Sequence, residues 1–334
     1  MLFTPPFDIP ALINRIMVGV LDPHAGRFFS HNGIRTMPWT IYFLISIIDS
    51  IFFIISFVKW KEHSNRIKFL IIILAIFELF FWRGTGTNFG SFMMITSILF
   101  TVIASSKVYF IEKKQVYKYI FFCIFLCVVM LIIFSSNMEG RVGGDFNNLD
   151  SLDPFKDTQV FIDENHFIYQ YLPYRLQQLF TLVFSYLTQG YTFLEYIYTL
   201  NFHWGMGWGN NPGAQSFATD FLGFNPEINS YQLQIEQMYG VDRNIYWHSC
   251  YLWLANDFTI LGIPIVIFYI SKLCSYALIM YMTTKDVISG IIFVIFSTML
   301  LFLFANNNYI STMFYSLFFI FPYWYFKKYK RIVS

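Results

Sequence analysis

The chain has 334 residues, of which 56% are hydrophobic, 22% aromatic and only 13% charged. That is too few charged groups to coat a soluble domain of this length, so the sequence reads as an integral membrane protein. The net charge of +2 decides little, because basic and acidic residues are segregated along the chain, and no nucleic-acid partner is expected. Four cysteines give neither a disulfide framework nor a metal spacing. Cys123, Cys127 and Cys274 read as small apolar packing and Cys250 has no evident partner, so no metal or cofactor is expected.

In chain order, Ala11 to Leu21 is apolar but interrupted by Asn14 and Arg15, and it is short for a span, which suits a helix lying on the membrane. The first convincing span, Thr40 to Val58, ends in Lys59, Lys61, Arg66 and Lys68, which the positive-inside rule places in the cytoplasm. Ile67–Trp82, Phe89–Ser106 and Tyr119–Phe134 follow as spans two to four. Lys107, Lys113, Lys114 and Lys118 fall on the same cytoplasmic side. Beyond a long polar loop, Trp247–Ile270, Val287–Ala305 and Tyr309–Phe326 complete about seven transmembrane helices, with a cytoplasmic tail at Lys327, Lys328, Lys330 and Arg331. Ser271 to Thr284 is apolar but too short to cross, and reads as an interfacial helix or an extension of the span before it.

The expected fold class is therefore an all-α polytopic integral membrane protein in three parts. Residues 1–135 hold the interfacial segment and four spans, 136–246 a large periplasmic loop, and 247–334 three spans and the basic tail. The absence of any Asn-x-Ser/Thr sequon fits a bacterial inner membrane.

The loop carries the polar chemistry. From Asn137 to Arg243 it holds 12 of the 20 acidic residues but only four of the 22 basic ones, Arg141, Lys156, Arg175 and Arg243. Scarce arginines in an acidic field are where an anionic substrate group would be held, since the guanidinium fork matches phosphate oxygens. Leu176–Leu187 and Tyr191–Leu200 are two apolar segments separated by Thr188-Gln189-Gly190, a pattern that predicts a re-entrant hairpin. Trp204, Trp208 and Trp247 belong to an aromatic-rich composition suited to a headgroup belt or to stacking on sugars. The run Trp204-Gly205-Met206-Gly207-Trp208-Gly209-Asn210-Asn211-Pro212-Gly213 lacks the Gly-Lys-Ser/Thr of a P-loop, and reads as a tight turn or as a loop closing over a pyrophosphate. Asp257 lies about ten residues into an apolar span, where a carboxylate costs ~2.5 to 3.5 kcal/mol and is a functional candidate by default; Asp49 and Glu78 raise the same question. His248, at the head of that span, is a candidate base, with Asp257 as base or as its orienting partner.

Tyr186-Leu187-Thr188-Gln189-Gly190-Tyr191, Trp204-Gly205-Met206-Gly207, and Trp247-His248-Ser249 followed by Leu254-Ala255-Asn256-Asp257-Phe258 and Gly262 resemble the bacterial oligosaccharide repeat-unit polymerases of the Wzy type. The resemblance covers roughly residues 175–262. It implies an inner-membrane glycosyltransferase that polymerises undecaprenyl-pyrophosphate-linked repeat units into O-antigen or capsular polysaccharide at the periplasmic face, alongside a flippase and a chain-length regulator. Such enzymes usually have ten or more spans, more than the seven counted. Under that reading Arg141, Arg175 and Arg243 bind the pyrophosphate and His248 or Asp257 is the catalytic base. The alternatives are a transporter or flippase for lipid-linked glycans and a non-catalytic scaffold of polysaccharide assembly. The lysine distribution makes the topology testable: reporters fused after Ser64, Lys114 and Ser334 are expected to read cytoplasmic and one near Asp157 periplasmic, and a cytoplasmic signal at Asp157 overturns the order.

Overall fold

The computed structural model describes residues 51–84, 89–108, 113–142, 165–241, 248–304 and 320–327, with the single positions 14, 17, 18, 163, 243 and 317. The described residues are helical and contain no strand. The chain divides into two compact units, Met1–Val183 and Phe184–Ser334. Asp49, Lys156, Trp247, the hydrophilic stretch 143–162, most of the interfacial segment and most of the first and last expected spans lie outside the described residues.

In the first unit α1 (Asn65–Gly84), α2 (Phe89–Val108) and α3 (Lys113–Val142) follow one another, and α2 packs on both neighbours. These are the helices expected at spans two to four. The middle helix buries Ser91, Thr96, Ser97, Thr101 and Ser105, small residues that let helix backbones approach closely. Thr96 donates its hydroxyl to the Phe92 carbonyl at 2.9 Å, so burying it leaves no orphaned donor. Glu78 accepts the indole N–H of Trp82 one turn on, at 3.1 Å. Phe69 and Phe77 on α1, and Phe121 and Phe125 on α3, are exposed.

The expected hairpin at Thr188-Gln189-Gly190 is a continuous helix, α4 (Tyr174–Glu195). Its buried positions Gln178, Thr181, Leu182, Gln189 and Phe193 recur on one face at helical spacing, which the apolar-run reading had merged into two segments. Gly190 makes no turn. A Cβ there would lie 2.6 Å from the backbone nitrogen of Ser249, so the glycine marks a close approach of two backbones.

In the second unit α5 (Pro212–Phe217) and α6 (Tyr231–Tyr239) precede the long helix α7 (Cys250–Thr284), and α8 (Val287–Leu301) packs against it. Ser249 caps α7, accepting from Leu252 N–H at 3.5 Å. Ser271–Thr284 extends the preceding helix, so Lys272 lies within α7 and does not end a span. Three pairings fix the register of α7 on α8. The Tyr281 ring lies against Gly290, Cys274 Sγ is 3.3 Å from Ser297 Oγ, and Cys250 N–H donates to Leu303 O at 3.1 Å. A straight helix from Cys274 to Cys250 would cover ~36 Å, whereas Ser297 to Leu303 covers only ~9 Å.

The long helix therefore doubles back. Thr259 has φ 56° and ψ 168°, a conformation essentially reserved for glycine and not helical. About 22 Å outward from Cys274 to Thr259 and ~13 Å back to Cys250 leaves the ~9 Å that α8 covers. Gly262 makes room for this, since a Cβ there would lie 3.1 Å from Phe258 Cβ.

Among the described residues α7 is the one helix long and apolar enough to cross a membrane, while Gly90–Ser106 and Val287–Leu301 are shorter apolar helices. Two expected spans change accordingly. Trp247–Ile270 is a short return helix and the first part of a long one. Within the expected span Val287–Ala305 the helix is Val287–Leu301, ~22 Å long, and every residue from Ser289 to Met299 is buried.

The α7–α8 turn is held by Asp286. Its carboxylate accepts from Ser289 N–H at 3.2 Å and Ser289 Oγ at 2.8 Å, and from Lys327 Nζ at 2.9 Å. The indole of buried Trp324 donates to Ser289 Oγ at 2.7 Å. Burial pushes the Asp286 pKa up, but the hydrogen bonds from Lys327 and Ser289 and the Lys327 charge outweigh it, so the carboxyl titrates below its ordinary value. A depressed native pKa means the stabilisation is present above the unfolded-state value and is lost as pH falls through the native one. Asp286→Ala is expected to cost about 1 kcal/mol of thermal stability in detergent at neutral pH, the usual cost of losing a cap, and the difference from wild type should shrink in acid. An equal difference at every pH would refute the ionic part of this account.

Candidate functional site at the helix break

A break inside an apolar helix frees backbone groups that must find partners. Here the partners come from the glycine-rich loop. Gly205 N–H donates to Asn256 O at 3.0 Å, replacing a lost helical bond, and Trp208 N–H closes a turn onto Gly205 O at 2.9 Å. The two central residues of that turn, Met206 and Gly207, have φ of 57° and 82°, the left-handed pair of a type I′ turn. This geometry aims Gly207 N–H at Asp257 Oδ1, 2.9 Å away, while Asn210 Nδ2 donates to Asp257 Oδ2 at 2.7 Å.

Two glycines set the distance of approach. A Cβ on Gly205 would lie 2.7 Å from Asp257 Oδ1, and one on Gly209 would lie 2.8 Å from Asn256 Cβ. The loop thus fits only as a chain lacking side chains at those positions. One backbone N–H, that of Gly207, and the side-chain amide of Asn210 hold an anion, and that anion is the protein's own Asp257 carboxylate.

Asn256 carries the other half of the junction. Its Nδ2 donates to Gly209 O at 2.9 Å and to Gln232 Oε1 at 3.0 Å, and its Oδ1 accepts from Tyr231 N–H at 2.9 Å. Gln215 Nε2 also donates to Gly209 O, at 3.1 Å, and Asn211 caps α5 by accepting from Gly213 and Ala214 N–H. One amide therefore ties the loop, α6 and the return helix together.

An aromatic ladder leaves this junction. Trp208 stacks on Phe217 at 5.7 Å and Phe217 on Phe221 at 5.0 Å, with interplanar angles of 17° and 26°. Phe221 and Trp204 are exposed.

Of the expected site residues, Arg141 and Arg175 belong to the first unit, and Asp257, His248, Arg243, Trp204 and Trp208 to the second. Asp257 is buried and holds the loop, whereas a deep intramembrane acid was expected. His248 is 2% exposed, edge-on to Phe193 at 4.9 Å, and neither ring nitrogen has a partner among the described residues. Burial pushes its pKa down to about 3, so the imidazole is neutral and weakly basic, where a base at the membrane surface was expected. Arg243 is committed internally, with Nη2 3.4 Å from Glu227 and Nε 3.4 Å from Glu236. Arg175 is exposed at the start of α4. Arg141 ends α3 and its side chain lies outside the described residues, as does all of Trp247.

Sequence reasoning passed over Gln215 and Gln232, and quoted Asn210 and Asn256 without giving either a role. The available signal was the excess of side-chain amides between Asn201 and Asn256 in a mostly apolar chain. Among the described residues no group of three or more His, Cys, Asp or Glu side chains is arranged to hold a metal. Comparison of the chain with known protein families, curated proteins and solved structures finds no match.

The donor pattern around Asp257 makes its charge testable. Asp257→Asn keeps an acceptor for Gly207 but sets its own amide N–H against that of Asn210, so the loop is expected to lose about 1.5 to 3 kcal/mol of anchoring and to become protease-sensitive between residues 204 and 213. The swap Asn210→Asp with Asp257→Asn restores donor to acceptor and should recover protection. Protection in the single variant equal to wild type would remove the carboxylate from the anchoring role.

Proposed function

We propose that the chain is a polytopic membrane enzyme of glycan assembly, which transfers a saccharide from a polyprenyl diphosphate onto the next lipid-linked repeat unit. The observation that carries this reading is a hydrogen-bonded polar junction bearing an aromatic ladder, half-buried at Trp208 and Phe217 and exposed at Phe221, at the end of a membrane-length helix. Aromatic faces beside convergent amides suit the apolar faces and hydroxyls of sugar rings, and the neighbouring apolar helix suits a lipid tail. Exposed Phe and Ile side chains on α1, α3 and α7 favour a bilayer around these helices, because water would meet large apolar patches. The resemblance to repeat-unit polymerases through residues 175–262 agrees with this chemistry.

The roles differ from those anticipated for single residues. Asp257 is a positioning residue that holds the loop, and buried His248 is structural. The departing diphosphate needs a cation that is not already neutralised. Arg243 has two carboxylates, whereas Arg175 is exposed and has no ion pair among the described residues. Arg175 is therefore the favoured diphosphate contact.

The broken helix also favours a second reading, a transporter of lipid-linked glycans, because interrupted helices line substrate paths in that class. Glycan length separates the two. In a strain lacking the native polymerase, Arg175→Lys is expected to yield mainly single-repeat product, since Lys keeps the charge but loses the fork, while Lys156→Ala yields a long ladder. Full ladders from both variants at matched expression would remove Arg175 from the site. Loss of all surface glycan, single repeats included, would favour the transporter.

A further inference from the structure

The fold-back at Thr259 places the glycine-rich loop at a definite depth, an inference that rests on the membrane reading above. A hydrocarbon layer of ~30 Å takes about 20 helical residues. Measured from the charged turn of Lys285, Asp286 and Lys327, that length of α7 ends near Ile265. Lys272 then falls inside the layer, and helical side chains tilt toward the N-terminal end, so its ammonium reaches toward the Thr259 side. Setting the boundary at Lys272 instead would submerge the irregular loop 201–207, most of whose residues are exposed, in hydrocarbon, where lipid-exposed loops do not occur. The junction therefore stands at the boundary itself.

Three exposed apolar side chains project near that boundary. Trp204 and Met206 are each 61% exposed, on a loop hydrogen-bonded to Asn256 and Asp257, and Leu261, two residues beyond the break, is 83% exposed. Met206 holds the left-handed φ of 57°, which glycine would adopt without strain. The turn requires that conformation of whatever residue stands there, and here it carries a large apolar side chain that the rest of the loop leaves exposed. Indole rings concentrate at headgroup level because one end is apolar and the other donates a hydrogen bond.

We propose that the Trp204–Met206 tip, together with Leu261, inserts among the phospholipid headgroups and upper acyl chains of the leaflet next to the fold-back, fixing the polar junction at the bilayer surface. Trp208, Phe217 and Phe221 stack on one another and remain the sugar-facing group. The loop then has two faces, one for lipid and one for saccharide.

The test uses the full-length protein in phospholipid vesicles. Met206→Cys, and separately Trp204→Cys, would carry an environment-sensitive fluorophore, with wild-type protein giving the background from the native cysteines. Spin-labelled lipids would place the quencher in the headgroup, the shallow acyl chain or the deep acyl chain, and aqueous iodide would report water. The proposal expects strong quenching by headgroup and shallow labels, weak quenching by deep labels, and at least a twofold loss of iodide quenching relative to a probe at Met238→Cys, which is also exposed. Iodide quenching equal to that at position 238, with no effect of any lipid label, overturns it, as does strongest quenching by the deep label. Alkaline extraction of membranes expressing the wild-type chain separates the two levels: release from the membrane overturns the membrane reading, whereas retention with a water-exposed tip overturns only this inference. If one cysteine variant fails to fold, the other carries the same outcomes.

Discussion

The pairing of Asp257 with the backbone of the glycine-rich loop is the interaction on which the second unit depends. A helix that stops inside an apolar run exposes carbonyls and N–H groups that each cost energy unless paired. Thr259 adds strain, because a β-branched residue there adopts a conformation that glycine alone tolerates well. These costs are offset locally. The loop donates to Asn256 O and to both oxygens of Asp257, and Asn256 uses both polar atoms of its side chain. The carboxylate bonds are charge-assisted and nearly dry, the condition in which such bonds are strongest.

The break also decides what the neighbouring helix is. With α7 straight, α8 would be a second crossing helix reaching only part of the way along it. With α7 doubled back, the short α8 meets both of its ends, at Tyr281 and at Cys250, and can be buried almost throughout. Its closing carbonyls then meet the start of the return helix, as in the bond from Cys250 N–H to Leu303 O. One residue in an unusual conformation thus lets the short α8 be buried along almost its whole length.

Much of this was legible in the sequence, though unevenly. Helical class and helix positions through residues 65–142 follow from apolar run length and flanking lysines, signals that depend on composition alone. Asp257 stood out because a carboxylate in an apolar run demands a partner. What hydropathy cannot give is direction. It sees neither the reversal at Thr259 nor the continuity of α4 through Gly190, because both depend on close approach to a distant segment. For the same reason the partners of Arg243 could not be named in advance, since Glu227 and Glu236 lie beside it in space and seven or more residues away in sequence. His248 was misplaced by its position next to a polar loop, since the packing of Phe193 that buries it comes from another helix.

The junction's charge shapes what it can recognise. Asp257 is bound only by neutral donors among the contacts described, so its negative charge is stabilised but not cancelled. A diphosphate brought within ~6 Å would meet a repulsion of about 3 kcal/mol per unit charge at an effective dielectric constant near 20. That exceeds the ~0.5 to 1.5 kcal/mol that a neutral hydrogen bond typically returns. Glu227 and Glu236 around Arg243 extend the same negative character along the second unit. Under the proposed function the junction therefore suits the uncharged saccharide, whose hydroxyls can donate to acceptors of this kind and whose ring faces can lie on Phe221. The diphosphate calls for a cation without internal carboxylates.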